Sequence, residues 1–115
     1  MRSLQALGVG VVIAALVLLA VACGGQSAPA TPSDPVLAQG QQIYNSKCSS
    51  CHGRGGNGGM GPKLAGVVED KYPDIADQMA VISGGGEGMP AFDEQLSADE
   101  ITAVARYERE VLGSR

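Results

Sequence analysis

Cys48-Ser49-Ser50-Cys51-His52 is the stretch whose reading decides the fold. Its form, Cys-x-x-Cys-His, is the attachment signature of a covalent, c-type haem. The spacing follows from the chemistry. Two thiols each have to add to a vinyl group on the rim of one flat macrocycle. Residues three apart lie on neighbouring turns of a helix and face the same way. The histidine that follows is carried under the ring, where its imidazole can bind iron. His52 is the only histidine in the chain, so no other imidazole is available. Other uses of these residues fit less well. Tetrahedral zinc takes four ligands, usually sulfur and nitrogen, and the fourth here would have to be a carboxylate or water. A thioredoxin-like redox pair needs a βαβ context, and no strand-like pattern surrounds Cys48.

Iron bound by His52 has a second axial position to fill. Thioether sulfur suits an electron-transfer site and raises the reduction potential. Beyond the first residue the chain has three methionines. Met60 lies in a glycine-rich loop eight residues past His52, expected on the histidine side. Met79 falls on an apolar helical face, where packing is the expected role. Met89 lies in Gly88-Met89-Pro90-Ala91-Phe92, where the glycines at 84–86 and 88 allow a tight path and Pro90 stiffens the exit. Met89 is the expected ligand.

The ends of the chain bear on location. Arg2 precedes Leu7–Ala22, sixteen residues without a charged or strongly polar side chain, which suits a signal peptide core. An uncleaved anchor helix is the alternative, although the run is short for a span of about 20 residues. Ala20-Val21-Ala22-Cys23 resembles the lipobox of bacterial lipoproteins, except that Ala20 stands where leucine is usual. Cys23 is thus expected to carry lipid. Each fate of the N-terminus puts the domain outside the cytoplasm, in the periplasm or on the outer face of the membrane. The expected division is a signal peptide over 1–22, an anchor cysteine and flexible linker over 23–34, and one domain over 35–115. Gly24–Asp34 has linker composition; eleven flexible residues span roughly 20 Å on average and about 40 Å fully extended.

Charge narrows the partners. The chain has 8 Lys+Arg against 12 Asp+Glu, a net charge of −4. A nucleic-acid binder would show a basic footprint, so none is expected. Lys47, Arg54 and Lys63 lie near the haem motif, read as ordinary solvated surface or, alternatively, as a basic rim for docking.

Three helices have readable ends. Asp34 caps a first helix with Pro35 at its first position, and Leu37, Gly40, Tyr44 and Cys48 recur at helical spacing. A second helix is predicted from Pro73 to about Ser83, with Ile75, Met79 and Ile82 on one face. The last begins with a Ser97/Glu100 capping box and a Leu96/Ile101 staple. Its apolar stripe of Ile101, Val104, Ala105, Val111 and Leu112 is broken by Glu108, read as a half-open edge. Between the first two helices, Gly53–Gly61 holds six glycines in nine residues. It formally contains G-x-G-x-x-G, but no strand precedes it and Pro62 closes it, so a dinucleotide site is dismissed. No alternating run suggests a sheet. The domain has four aromatics, Tyr44, Tyr72, Phe92 and Tyr107, and so small a core is expected to need the cofactor as its centre.

These segments together resemble the class I cytochromes c in their small bacterial form. Gly40-Gln41-Gln42-Ile43-Tyr44 before the haem motif is similar to the family's N-terminal helix, where a glycine and an aromatic meet the last helix. Gly61-Pro62-Lys63-Leu64 is similar to the family's Gly-Pro-x-Leu, and Gly88–Phe92 to its distal methionine loop. Leu96 through Tyr107 resembles the C-terminal helix. The resemblance implies an all-α cytochrome c fold, three to five short helices wrapped around one covalently bound haem c. It implies thioethers at Cys48 and Cys51 and iron bound by His52 and Met89. The Pro62 carbonyl would accept a hydrogen bond from the second nitrogen of His52, Leu64 would pack on the haem, and Val104 and Tyr107 would face Gly40 and Tyr44. The chain departs from the family in lacking tryptophan, so a propionate contact is absent or replaced, with Arg54 as a candidate; the glycine-rich loop and Glu108 are further departures. The implied function is that of a monomeric one-electron carrier without catalytic residues, working between redox protein partners. The rivals are a haem-bearing subunit of a larger complex and a ligand-binding or peroxidatic haem protein with a labile second axial ligand.

Overall fold

The computed structural model describes residues 27–115. The expected signal peptide over 1–22 and the expected anchor at Cys23 lie outside the described residues. The domain is all-α, as expected: among the described residues there is no strand, only an isolated antiparallel bridge between Gly86 and Met89.

Helix α1 spans Pro35–Ile43. Asp34 starts it by accepting from the backbone N–H groups of Val36 and Leu37 at 2.8 and 3.2 Å. These bonds, that to Leu37 foremost, hold the Asp34 carboxyl below the usual carboxylate range. The helix then widens without a break into a π turn over Tyr44–Cys48, where the Ser49 N–H reaches the Tyr44 carbonyl five residues back. Helix α2, Ser49–His52, follows directly and stops at Gly53, whose φ of 81° ends it. Helix α3 is one turn, Val68–Lys71. Helix α4 spans Ile75–Gly84 and starts two residues later than predicted, because Asp74 caps it through the Ala76 N–H at 2.9 Å. Helix α5, Ala98–Tyr107, has the predicted capping box: Glu100 N–H donates to Ser97 Oγ at 3.2 Å and Ser97 N–H to Glu100 Oε2 at 2.8 Å. It too widens into a π turn, over Glu108–Leu112.

The most extensive helix–helix contact is that of α1 on α5. Gly40 sits at the crossing. A Cβ placed there would stand 2.7 Å from the Ala103 carbonyl carbon and 2.8 Å from Tyr107 Cβ, so only glycine lets the two backbones come this close. One turn on, the fully buried rings of Tyr44 and Tyr107 meet with centroids 5.5 Å apart and tilted by 48°. Such an aromatic pair adds roughly 0.5–1.5 kcal/mol beyond its burial. Tyr107 faces α1, as expected; Val104 is fully buried, and the atoms pressed on Gly40 beside Tyr107 are those of the Ala103 carbonyl, which was not anticipated.

Two expectations are revised. Glu108 does not mark a half-open edge: it is only 5% exposed and belongs to the interior. The linker is not free throughout, because Pro29 is buried and its carbonyl accepts from Gln41 Nε2 at 2.8 Å, with Ala30 O at 3.3 Å. Gln41 is buried on α1 and its amide needs acceptors, so the free-coil estimate of reach does not extend past Pro29.

Replacing Gly40 by valine would force α1 and α5 apart, since the blocking atoms belong to backbone and Cβ positions. We expect the holoprotein to lose about 2–3 kcal/mol, read as a lower denaturant midpoint at unchanged slope.

Candidate haem-binding site

The π turn and α2 bring Cys48, Cys51 and His52 into one patch. Cys48 is buried, Cys51 half-buried, and neither is in a disulfide. Burial pushes the Cys48 thiol up to about 12; the Glu108 carboxylate adds to the effect and Lys47 opposes it. His52 is 7% exposed, and its Nδ1 lies 2.8 Å from the Pro62 carbonyl oxygen. A carbonyl can only accept, so this bond requires the proton on Nδ1 and leaves the Nε2 lone pair free to bind a metal. That is the contact the Gly-Pro-x-Leu resemblance implied.

The glycine-rich loop is tied down by the helix it follows. Gly61 N–H donates to Cys51 O at 2.9 Å and Gly58 N–H to His52 O at 2.8 Å, so the two open carbonyls at the end of α2 are satisfied by the loop. Gly56 O accepts from both Leu64 and Ala65 N–H, at 2.7 and 2.9 Å. The Tyr44 hydroxyl donates to Gly53 O at 2.7 Å, fastening the end of α2 to α1. A Cβ on Gly61 would stand 3.0 Å from His52 Nδ1 and Cε1. The loop thus packs its backbone against the imidazole ring.

Of the three methionines, one is set apart by exposure and two lie against the core. Met60 is 88% exposed. Met79 lies half-buried on α4, with the Thr102 hydroxyl 3.9 Å from its sulfur. Met89 is half-buried against the core and ends a tight turn. Gly86 and Met89 exchange both backbone hydrogen bonds at 2.9 Å, and Glu87 and Gly88 between them have φ of 52° and 88°. Two positive φ values in succession make a type I′ turn. Gly85 lies so close to Met89, Pro90 and Ala91 that a Cβ would meet the Pro90 carbonyl carbon at 2.7 Å. Phe92 is buried and its N–H bonds back to Ile82 and Ser83 O at 3.2 and 3.1 Å.

A covalent haem fits these residues. Two uncrosslinked thiols and an imidazole with Nε2 unclaimed form the donor set. Leu64, Met89 and Met79 pack on the core but are only partly covered, leaving apolar surface for a flat hydrophobic group to bury. Lys47, Arg54 and Lys63 are all exposed; Lys47 donates to Gln95 Oε1 at 3.3 Å. An all-α domain with Cys48, Cys51 and His52 so placed has the make-up of a small c-type cytochrome.

Known proteins agree. Residues 35–107 match the family described as cytochrome C oxidase, cbb3-type, subunit III. The chain is 36% identical over 87 residues to cytochrome c-550 of Bacillus subtilis (strain 168), covering 76% of this chain and 68% of that protein. It is 33% identical over 73 residues to cytochrome c6 of Leptolyngbya boryana, covering 61% of this chain and 86% of the relative. The crystal structure of cytochrome c6 from the diatom Phaeodactylum tricornutum superposes with a TM-score of 0.60 at 31% identity, over 68% of this chain and 95% of the other. The chain belongs to this family of class I c-type cytochromes. It is an electron carrier with one covalent haem c.

Sequence reasoning missed a polar cluster behind Cys48. Gln78 on α4 is buried; its Nε2 donates to Glu108 Oε2 at 2.7 Å, and its Oε1 accepts from Arg109 Nη1 at 3.2 Å. Arg109 also donates to Tyr72 O at 2.8 Å and Pro73 O at 3.0 Å, joining the segment before α4 to the last turn. The available signal was Gln78 itself, which interrupts the apolar face of Ile75, Met79 and Ile82 just as Glu108 interrupts its own stripe. The Tyr44 hydroxyl was missed too, because Tyr44 reads as a core ring.

Burial pushes the Glu108 carboxyl up to about 7, with the Gln78 hydrogen bond opposing the shift. The folded protein therefore keeps a proton that the unfolded chain, titrating near 4.5, has lost. Stability should fall as pH rises from about 4.5 to about 7, by something like 3 kcal/mol from this group. Glu108→Gln should remove that portion of the pH dependence in denaturant titrations. Gly61→Val should displace the His52 ring and lower holoprotein stability by about 1–3 kcal/mol, detectable in the same measurement.

Proposed function

We propose that Cys48 and Cys51 form the haem thioethers and that His52 and Met89 are the axial ligands. The observation that carries this reading is the His52 Nδ1–Pro62 bond. It holds the imidazole in one tautomer and orientation, as second-sphere partners of metal-bound histidines do. The haem iron, when bound, supplies the capacity to take up and give back one electron. Pro62 orients the ring, Leu64 covers the haem, and the type I′ turn fixes Met89. With both axial positions held by side chains, no open site is left for a substrate, so the protein transfers electrons without catalysing a chemical conversion.

The carrier works outside the cytoplasm, between membrane-associated redox protein partners. Residues 1–22 act as a signal peptide, Cys23 as a lipid anchor (an uncleaved N-terminal helix being the other form of tether), and 35–115 as a single monomeric domain. The composition of the first 23 residues supports this; among the described residues no helix is long and apolar enough to cross a membrane. A second reading is favoured by one observation: the matching family is described as a subunit of cbb3-type oxidase. In that reading the same haem site sits in a permanent complex.

Met89→Ala holoprotein should lose the sulfur-to-iron charge-transfer band of the oxidised state and bind carbon monoxide rapidly when reduced. Met60→Ala and Met79→Leu should keep the band. If Met89→Ala leaves it intact, the ligand assignment is wrong. The intact mass of exported protein, which should include one haem and a lipid on the N-terminal cysteine, tests the anchor. Purification from detergent-solubilised membranes distinguishes a separable carrier from a retained subunit.

A further inference from the structure

We propose that Glu108 is a proton-binding site linked to the electron: when the protein is reduced, this carboxylate takes up a proton, and when it is oxidised, the proton leaves.

Glu108 begins the π turn that extends α5 and is buried there together with Leu112. Its carboxyl has one hydrogen-bond donor, Gln78 Nε2 at 2.7 Å. No lysine or arginine pairs with it among the described residues. The neighbouring Arg109 is turned away: its guanidinium serves Tyr72 O, Pro73 O and Gln78 Oε1, and its ion pair is with Glu69 of α3 at 3.6 Å. From α1 and its π turn the titratable groups that face Glu108 are Tyr44 and Cys48; from α4 it is met by the uncharged amide of Gln78. A buried carboxylate without a cation is costly to ionise, and burial accordingly raises this group to about 7. A residual exposure of 5% leaves water a route to it.

The link to the electron runs through Cys48. Burial chiefly, and then the Glu108 charge, raise both the Cys48 thiol and the Tyr44 hydroxyl. The field of Glu108 therefore reaches the side chain that carries the haem in the reading proposed above, on which this inference rests. The same field opposes any added electron on the haem. The balance is simple. One electron enters from a redox partner, one proton enters from water, and the Glu108 carboxylate becomes the acid; oxidation reverses both. The oxidised protein favours the ionised carboxyl, so Glu108 titrates at lower pH in the oxidised than in the reduced state. Between those two values the reduction potential falls as pH rises; below and above them it is flat. Two unit charges about 10 Å apart at an effective dielectric of about 20 change a proton affinity about tenfold. For one electron that corresponds to a total fall of about 59 mV.

The test uses the intact holoprotein. Its potential is measured by spectroelectrochemistry across roughly pH 5 to 9 for the wild type and Glu108→Gln. Reduced-minus-oxidised infrared spectra are recorded on wild type with and without ¹³C-labelled glutamate. The wild-type potential should fall by about 59 mV through a window around neutrality, and Glu108→Gln should be flat there. A carboxylic acid C=O band should grow on reduction and shift with the glutamate label. A slope that persists in Glu108→Gln, or a band insensitive to the label, assigns the proton to the haem propionates and overturns the proposal. Should the variant not fold, the labelled band decides alone. Loss of the charge-transfer band from wild type would overturn the ligand reading instead, while a pH-independent potential with that band intact overturns only this inference.

Discussion

The close crossing of α1 over α5 at Gly40 is the constraint on which the rest depends. A helix pair joined this tightly needs a position without a side chain, and here the Ala103 carbonyl and Tyr107 Cβ occupy the space. The crossing sets Tyr44 against Tyr107. Tyr44 in turn fastens Gly53, the residue that ends α2. The Cys-x-x-Cys-His segment is therefore held at both ends, by continuity with α1 and by a hydroxyl reaching back from it. The haem motif does not position itself; the terminal helices position it.

The glycine-rich loop shows why composition misleads about rigidity. Six glycines in nine residues suggest loose chain, since each has much conformational freedom to lose. In the fold that freedom is spent on close approach. Backbone N–H groups of Gly58 and Gly61 meet the carbonyls of His52 and Cys51, and Gly61 lies against the imidazole itself. Side chains would hold the loop off the helix and break the path to Pro62. The turn before Met89 follows the same logic with one residue against the trend: Glu87 takes a positive φ, a strain that the flanking reciprocal hydrogen bonds sustain.

Glu108 is where the chain departs most from what a stable core asks for. An apolar residue there would continue the stripe of α5 and remove a desolvation cost. Instead Gln78 faces it, and Arg109 is bound to Gln78 and to the backbone before α4. A set of three polar side chains joins α4, the α3–α4 connection and the last turn, behind Cys48 of the Cys-x-x-Cys-His motif. Local conflicts of this kind are where function is expected to have overridden packing.

The sequence by itself determined the chemistry and the helix ends. Cys48, Cys51 and His52 carry their meaning in their spacing, and Asp34, Ser97 and Glu100 announce helix starts through hydrogen bonds that form within three residues. The Pro62 contact was legible only through likeness to known cytochromes, because nothing local links a carbonyl ten residues away to an imidazole. Tertiary structure alone decided that Met79 and Met89 lie against the core while Met60 is left in water, that Pro29 docks on Gln41, and that Glu108 is buried. Those outcomes depend on residues 12 to 30 positions apart, whose meeting is set by how helices cross and not by any pattern along the chain. A break in an apolar stripe reads the same whether the residue faces water or the core, and only the opposing helix settles which.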